Sequence, residues 1–225
     1  MTGVSRRVVV APSLYAAPLL RIDDAVRAVT EGGADAVHLD VMDGHFVGPI
    51  SFGNLIVQAV SAATPLPLDA HLMVSNPVSH LPWLADAGIR AVTVHVEAFE
   101  GDPIGMIEAL REIRRRGMRA GIALKPATGV NAIAGMVGEL EHVLVMTVEP
   151  GSSGQPFMRA MLPKVSEVVA RFGPDIEVGV DGGINASTAK AALDAGARYL
   201  VAGSSVFAAS MDGVRSAIDA LRDQK

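Results

Sequence analysis

The chain has 225 residues, of which 50% are hydrophobic and 19% are charged, and its formal net charge is -5. This length suits one domain with a substantial core, and the composition excludes a disordered chain. The absence of cysteine excludes disulfides, cysteine-ligated zinc and thiol nucleophiles. No basic stretch predicts nucleic-acid binding, because the arginines at 114–116 end a predicted helix and complement its dipole.

The N-terminal segment MTGVSRRVVVAPS has two arginines but no long apolar stretch, so it does not predict a signal peptide. No apolar run approaches the roughly 20 residues that a membrane span needs. We therefore expect a cytoplasmic protein without a membrane partner, built as one domain over residues 1–225.

Short apolar runs alternate with longer segments in which apolar residues recur every three or four positions. The runs, in chain order, are 8–13, 36–43, 69–73, 91–98, 119–126, 142–150, 176–183 and 199–205. The segments between them predict helices at 22–33, 54–64, 78–88, 104–117, 131–140, 156–172 and 185–196, and a last helix at 211–223. Runs that are apolar on both faces are typical of parallel strands covered by helices. Eight such units predict an α/β fold, a (β/α)8 TIM barrel; the alternative, a doubly wound open sheet, does not need eight evenly spaced units.

Polar side chains lie late in these runs. They are Ser13, His38, Asp40, Asp43, Asp69, His71, Glu149, Asp181 and Ser204. In a TIM barrel the carboxyl ends of the strands form the active-site face, so this group predicts one shared pocket.

Two runs carry a histidine and a carboxylate two positions apart, His38 with Asp40 and His71 with Asp69. Side chains alternate along a strand, so each pair shares one face. Charged groups are rarely buried unless they are paired or bound to a metal. Together with Asp181, these residues predict a site for Zn, Mn, Fe or Co rather than Ca or Mg. For either pair alone, an ordinary buried ion pair is the alternative.

Three glycine segments follow the sixth, seventh and eighth runs: 151–154 (GSSG), 181–183 (DGG) and 203–205 (GSS). Glycine lets backbone N–H groups approach an anion, and the helix N-termini that follow favour negative charge. One such segment alone is typical of a turn, but three in consecutive units predict a phosphate site.

Asp40 and Asp181 come from different strands, so they can approach a ligand from two sides as general base and general acid. The alternative is that both only bind or surround the metal. Three methionines on nearby strands predict either core packing or a wall that keeps water from the metal; they are Met42, Met73 and Met146. His95 is expected to be a structural histidine, with a position facing the pocket as the alternative.

Segments typical of one known family occur along nearly the whole chain: VAPS, HLDVMDGHFV, SFG, DAHLMVSNP, HVEA, AGIALKPAT, VLVMTVEPG, GQPF, VDGGIN and VAGSSVF. Through them the chain resembles the ribulose-phosphate 3-epimerases. The resemblance implies an isomerase of pentose phosphate metabolism that inverts C3 of D-ribulose 5-phosphate to give D-xylulose 5-phosphate. It also implies one divalent metal ion as cofactor and a sugar phosphate as the small-molecule partner.

The resemblance implies roles for numbered positions. His38, Asp40, His71 and Asp181 would bind the metal, and the two aspartates would exchange protons on opposite faces of C3. The metal would bind the C2 and C3 oxygens and stabilise the enediolate that forms when the C3 proton leaves. The implied substrate contacts are Ser13, Met42, His71, Met73, Met146, Gly151, Ser152, Ser153, Gly154, Gly182, Gly183, Gly203 and Ser204.

The chain departs from the family in three loops. The family usually has PGFGGQ where residues 150–155 are PGSSGQ, and VPN where residues 47–49 are VGP. The loop after Ser13 is LYAA, where SIL is common. These loops border the sugar and phosphate pocket, so the alternative substrate is another ketose phosphate, such as D-allulose 6-phosphate.

Two other functions, a binding protein and a metal-free enzyme, are alternatives to an epimerase. A non-catalytic barrel that binds sugar phosphates would not need both Asp40 and Asp181. A metal-free lyase or decarboxylase would need a lysine at a strand end, and Lys125 is the only candidate. The resemblance explains that lysine without catalysis. Association into a homo-oligomer is left open.

Overall fold

The computed structural model describes residues 7–208 and 211–224. Its strands are β1 (Val9–Pro12), β2 (Val37–Met42), β3 (Leu68–Met73), β4 (Ala91–His95), β5 (Arg119–Leu124), β6 (His142–Met146), β7 (Glu177–Asp181) and β8 (Tyr199–Ala202). All pair in parallel in the order β1-β8-β7-β6-β5-β4-β3-β2, and a bridge between Ser13 and His38 joins the two ends of the sheet. The protein is therefore a nearly closed (β/α)8 TIM barrel of one domain, which confirms the predicted fold.

Helices cover the outside of the barrel. They are α1 (Ile22–Glu31), α2 (Asn54–Ala63), α3 (Leu81–Asp86), α4 (Pro103–Arg115), α5 (Leu162–Phe172), α6 (Ala186–Asp194), α7 (Ser204–Phe207) and α8 (Val214–Arg222). The predicted helix at 131–140 is wrong, since that segment forms a 3-10 helix over Val130–Met136. Gly135 and Gly138 lie within the predicted helix, and glycine is unfavourable in a helix interior by about 1 kcal/mol relative to alanine.

Side chains of each strand alternate between two environments. On β2, Leu39 and Val41 are buried in the large apolar core that the strands share with the helices. A second, small apolar cluster fills part of the barrel interior; it comprises Ala11, Ala36, Ala123, Leu144, Met146, Tyr199 and Val201. Because so few large apolar side chains lie inside the barrel, the interior has room for polar groups.

The strand register decides which of those polar groups become neighbours. In the β2–β3 pair, Asp40 lies beside His71 and His38 lies beside Asp69. In the β6–β7 pair, Met146 lies beside Asp181. The alternation and the register together direct residues from distant parts of the sequence to one region near the carboxyl ends of the strands.

Among the described residues, no helix has both the length and the hydropathy that crossing a bilayer requires. The predicted domain limits at residues 1 and 225 fall outside the described ranges. The same holds for residues 1–6, which contribute to the predicted absence of a signal peptide.

We expect the buried face of α4 to contribute strongly to stability. Ile113 is fully buried, whereas Ile104 on the same helix is 69% exposed. Ile113→Ala should lower the free energy of unfolding by about 2–5 kcal/mol, because it removes buried methyl groups and leaves a cavity. Ile104→Ala is the matched control and should change that energy by less than about 0.5 kcal/mol. Chemical denaturation followed by circular dichroism measures both, and equal losses would contradict this description of the core.

Candidate metal centre and phosphate site

Four side chains from three strands converge inside the barrel: His38 and Asp40 of β2, His71 of β3 and Asp181 of β7. One ligand atom of each lies within 4.8 Å of the others. Nε2 of His38 is 3.5 Å from Oδ1 of Asp40 and 3.8 Å from Oδ2 of Asp181. Nδ1 of His71 is 3.2 Å and 3.4 Å from the same two oxygens. The structure thus brings together all four residues that were predicted to bind a metal.

The donor atoms of this cluster suit a first-row divalent ion. Ligand atoms that surround such an ion at about 2.1 Å in a tetrahedron lie about 3.4 Å apart, which matches the separations between the imidazole nitrogens and carboxylate oxygens. Nε2 of His38 is buried and has no hydrogen-bond partner among the described residues, so it can bind an ion once the ring has lost its proton there. Two nitrogen and two oxygen donors are typical ligands of Zn, Mn, Fe and Co.

The electrostatics of the cluster also favour a cation. Burial alone would lower the pKa of His38, but the neighbouring carboxylates of Asp40 and Asp69 outweigh it and raise that pKa well above its usual value. Burial would raise the pKa of Asp40, but His38 and His71 outweigh it and hold that pKa well below its usual range. The carboxylate of Asp40 therefore favours its ionised form and attracts positive charge to the point where the four side chains meet.

Behind His38, Asp69 fixes the orientation of the ring. Oδ2 of Asp69 lies 3.0 Å from Nδ1 of His38 and accepts a hydrogen bond of 2.9 Å from the Tyr199 hydroxyl. Because the ionised carboxylate can only accept, Nδ1 carries a proton, and once Nε2 is deprotonated its lone pair points at the cluster. The prediction that His38 and Asp69 lie late in their strands is wrong, because each is the second residue of its strand and the two are paired in the sheet. His38 still reaches the cluster through its Nε2, whereas Asp69 lies below the pocket and orients this candidate ligand.

Behind His71, His95 and Glu97 likewise fix the orientation of the ring. Nε2 of His71 lies 2.9 Å from Nε2 of His95, and Nδ1 of His95 lies 3.0 Å from Oε2 of Glu97. If Nδ1 of His71 binds a metal, its Nε2 must donate to His95, whose own proton then lies on Nδ1 and is donated to Glu97. Burial lowers the pKa of His95 to about 4, so this ring is neutral at pH 7, as the arrangement requires.

Glu97 is held in place by further bonds. Its Oε1 accepts a 2.9 Å hydrogen bond from the backbone N–H of Lys125 and a bond from the Thr128 hydroxyl. Burial would raise the pKa of Glu97, but His95 and Thr128 outweigh it and bring that pKa to about 2. His95 is therefore a buried histidine whose two ring nitrogens both have hydrogen-bond partners, as expected of a structural residue, and it also contacts a candidate metal ligand.

Above the cluster is a cavity with an empty volume of about 540 Å³. Asp40 and Asp181 line the cavity. All but one of the predicted substrate contacts line it as well: Ser13, Met42, Met73, Met146, Gly151, Ser152, Ser153, Gly154, Gly182, Gly183, Gly203 and Ser204. The exception is His71, which lies buried beneath the cavity. The three methionines are at most 4% exposed and give the cavity an apolar wall. Asp40 also accepts a 2.5 Å hydrogen bond from the Ser13 hydroxyl.

Some residues of the cavity were not predicted, and two predicted ones lie elsewhere. The additional lining residues are Tyr15, Val148, Pro150, Gln155, Ile184 and Val201. They carry no charge and occur in loops or at strand ends, so the sequence offers little signal for them beyond their proximity to predicted residues. Asp43 instead accepts bonds from the backbone and hydroxyl of Ser75, and Glu149 is exposed; neither lines the cavity.

Glycines are required where the predicted phosphate loops meet. Gly182 has a φ of 120°, and a Cβ there would lie 2.4 Å from Val148. Gly183 has a φ of 65°, and a Cβ there would lie 2.5 Å from the backbone nitrogen of Phe157. Other residues would be strained and would push the loops apart. With Gly182 and Gly183 the backbone of three loops borders one cavity, an arrangement that lets several N–H groups approach a single anion.

Comparisons with known proteins agree with the geometry. The model of the Ribulose-phosphate 3 epimerase family matches residues 9–207. Ribulose-phosphate 3-epimerase of Bacillus subtilis is 41% identical over 220 residues, which cover 96% of this chain and 99% of that protein. The cytoplasmic isoform of ribulose-phosphate 3-epimerase from Oryza sativa subsp. japonica is 38% identical over 216 residues, which cover 95% of this chain and 92% of the rice protein.

A solved structure supports the fold alone. Mycobacterium tuberculosis tryptophan synthase superposes with a TM-score of 0.66 over 97% of this chain and 92% of that chain. The two sequences are only 18% identical, so the similarity concerns the barrel architecture and carries no conclusion about the reaction.

We expect the residues behind the histidines to control metal affinity. Glu97→Gln should weaken metal binding by roughly 10–100-fold, because the amide no longer fixes the proton positions of His95 and His71. His38→Ala removes a candidate ligand and should lower the metal content further. Glu108→Gln, an exposed change on α4, is the matched control and should leave affinity unchanged. Competition with a fluorescent chelator and elemental analysis provide the measurements; unchanged metal content in His38→Ala would show that the ligand set is wrong.

Proposed function

The chain belongs to the ribulose-phosphate 3-epimerase family, and from this membership we propose that it inverts C3 of D-ribulose 5-phosphate to give D-xylulose 5-phosphate. Membership makes it an epimerase, an enzyme of the isomerase class. One observation carries the proposal for this chain: Asp40 and Asp181, on β2 and β7, converge on two histidines beneath a cavity bordered by glycine loops.

We assign the metal to Nε2 of His38, Oδ1 of Asp40, Nδ1 of His71 and Oδ2 of Asp181, the four atoms whose separations support it. When bound, a divalent ion supplies positive charge that stabilises the negative charge developing on the substrate oxygens as the C3 proton leaves. Zn, Mn, Fe and Co all suit this donor set, and we leave the native metal open among them.

The two aspartates exchange the proton at C3. The Ser13 hydroxyl and the two imidazoles favour the ionised form of Asp40, which suits it to accept the proton. Asp181 approaches from β7 and delivers a proton to the opposite face of C3. Inversion follows because the proton leaves from one face and returns to the other. For this division one carboxyl group must be ionised while the other is protonated.

The methionines and the glycine loops position the substrate. The methionine wall keeps water away from C3, so the carbanionic intermediate is protonated by the aspartate rather than by solvent. The loops at 151–154, 182–183 and 203–204 surround the phosphate with backbone N–H groups. Nε2 of Gln155 donates to the carbonyl oxygens of Glu149 and Ser152, at 2.6 Å and 2.9 Å, and so holds the first of these loops in place.

Other functions have less support. The serines at positions 152 and 153 leave the alternative of another ketose phosphate, such as D-allulose 6-phosphate. A non-catalytic binding barrel would have no use for two convergent carboxylates. A lyase would need Lys125 in the cavity, but Lys125 is not among the residues that line it, and its Nζ atom lies 3.9 Å from the centroid of the Phe46 ring.

The name of the rice relative supports the predicted cytoplasmic location.

We expect metal-dependent epimerisation of D-ribulose 5-phosphate by the purified protein. Activity should disappear after chelation and return with Zn, Mn, Fe or Co, because the proposed metal ligands Asp40 and Asp181 line the cavity that would hold the substrate. A coupled assay for D-xylulose 5-phosphate measures this, and in D2O the product should carry deuterium at C3. If the metal-loaded protein neither converts nor exchanges D-ribulose 5-phosphate but does convert D-allulose 6-phosphate, the pentose assignment is wrong; inactivity on both would favour a binding protein.

Asp181→Asn should abolish turnover while the protein still binds inorganic phosphate, because the amide cannot supply the proton and the phosphate loops are unchanged. Asp194→Asn is the matched control, since its carboxylate is 65% exposed on α6 and distant from the chemistry. Steady-state kinetics and calorimetric phosphate titration test this pair. Normal activity of Asp181→Asn would refute the mechanism with two carboxylates.

A further inference from the structure

The amino ends of the strands enclose a second cavity, on the face of the barrel opposite the proposed active site. Its empty volume, including the space at its mouth, is about 1120 Å³, against about 540 Å³ for the cavity above the metal cluster. Residues at or before the starts of the strands line it, among them Ala36, Ala91 and Tyr199. Among residues 7–208 and 211–224, the small side chains of the first two leave the barrel open from this end.

His142, the first residue of β6, lies in the wall of this cavity and is 6% exposed. Glycines on both neighbouring strands make room for its ring. A Cβ at Gly179 would lie 2.8 Å from Cε1 of the imidazole, and a Cβ at Gly121 would lie 3.3 Å from Cδ2. Nδ1 lies 3.4 Å from Oε2 of Glu177, and Nε2 is buried and has no hydrogen-bond partner among the described residues.

A buried carboxylate lies in the same cavity. Asp69 is 4% exposed, and its Oδ2 already takes part in the contacts with His38 and Tyr199 described above. Its Oδ1 is buried and has no hydrogen-bond partner among residues 7–208 and 211–224. A buried acceptor left without a hydrogen bond is unfavourable. The inner end of the cavity therefore favours a group that donates hydrogen bonds.

The mouth of the cavity has the opposite chemistry. Three arginines line it: Arg7, Arg90 and Arg119. Arg7 pairs with Asp35 at 2.7 Å and Arg119 with Glu177 at 3.3 Å. Arg90 is exposed and forms no ion pair with any described residue, so one guanidinium remains available for an anion.

We propose that this cavity is a second ligand site, which takes a small carboxylate carrying a hydroxyl or ammonium donor next to the carboxyl group. The donor faces Oδ1 of Asp69 and Nε2 of His142, and the carboxylate faces Arg90 at the mouth. The site does not depend on the proposed reaction. Because Asp69 also contacts the candidate metal ligand His38, an occupant of this site lies one side chain away from the metal cluster.

Isothermal titration tests the proposal with three probes of one carbon skeleton. L-Lactate and L-alanine carry a hydroxyl and an ammonium donor respectively, and propionate carries neither. We expect one equivalent of lactate or of alanine to bind, and the tighter of the two identifies the preferred donor as a hydroxyl or an ammonium group. Propionate, which has neither donor, should bind at least about tenfold more weakly.

Variants locate the binding. Arg90→Ala and His142→Leu should each weaken it by about tenfold or more, because each removes one end of the site. Arg115→Ala is the matched control, since this arginine is 67% exposed on α4 and lies outside the cavity. Arg90 is exposed, so its replacement tests the proposal even if His142→Leu does not fold. Saturable binding of neither lactate nor alanine, or binding that Arg90→Ala leaves unchanged, would overturn it.

Discussion

The attraction between two buried imidazoles and two carboxylates is the interaction on which the site depends. Removing such groups from water is unfavourable unless each finds a partner, and here each faces an opposite charge or a hydrogen-bond partner. His38 and His71 satisfy the carboxylates when protonated, and a divalent ion satisfies all four groups more completely. The barrel tolerates these charges in its interior because their partners come from neighbouring strands in a fixed register.

Orientation of the histidines is a separate requirement, and two different arrangements meet it. His38 uses a direct carboxylate contact to Asp69, whereas His71 uses a histidine that in turn contacts Glu97. When a metal is bound, both arrangements place the ring proton on the nitrogen that faces away from the cluster, Nδ1 of His38 and Nε2 of His71. The lone pairs of Nε2 of His38 and Nδ1 of His71 then point to the same position between the four side chains. Since Glu97 also binds the backbone of Lys125, the position of His71 is linked to the start of the loop after β5.

Much of the fold and of the cluster could be predicted from sequence, because strands apolar on both faces and carboxylates near their ends are local patterns. Asp40 and Asp181 appear together once eight parallel strands are assumed. The contact between His71 and His95 could not be predicted, since it depends on which faces of β3 and β4 turn inward and on ring orientations. The same applies to Asp69, whose depth in β3 follows from where that strand begins. The error at 131–140 is local, because apolar periodicity outweighed two glycines in the prediction.

The two ends of the barrel differ in what their polar groups lack. At the carboxyl end, two carboxylates face two imidazoles, and a divalent ion can replace the protons that these rings carry. At the amino end, Oδ1 of Asp69 and Nε2 of His142 have no hydrogen-bond partner among the described residues, and Arg90 at the mouth forms no ion pair with any of them; a small carboxylate with a neighbouring donor suits these groups. Asp69 belongs to both regions, with one oxygen directed at His38 and the other without a partner in the part of the chain that the structure describes. A barrel whose interior holds few large apolar side chains can therefore support two different kinds of binding along one axis.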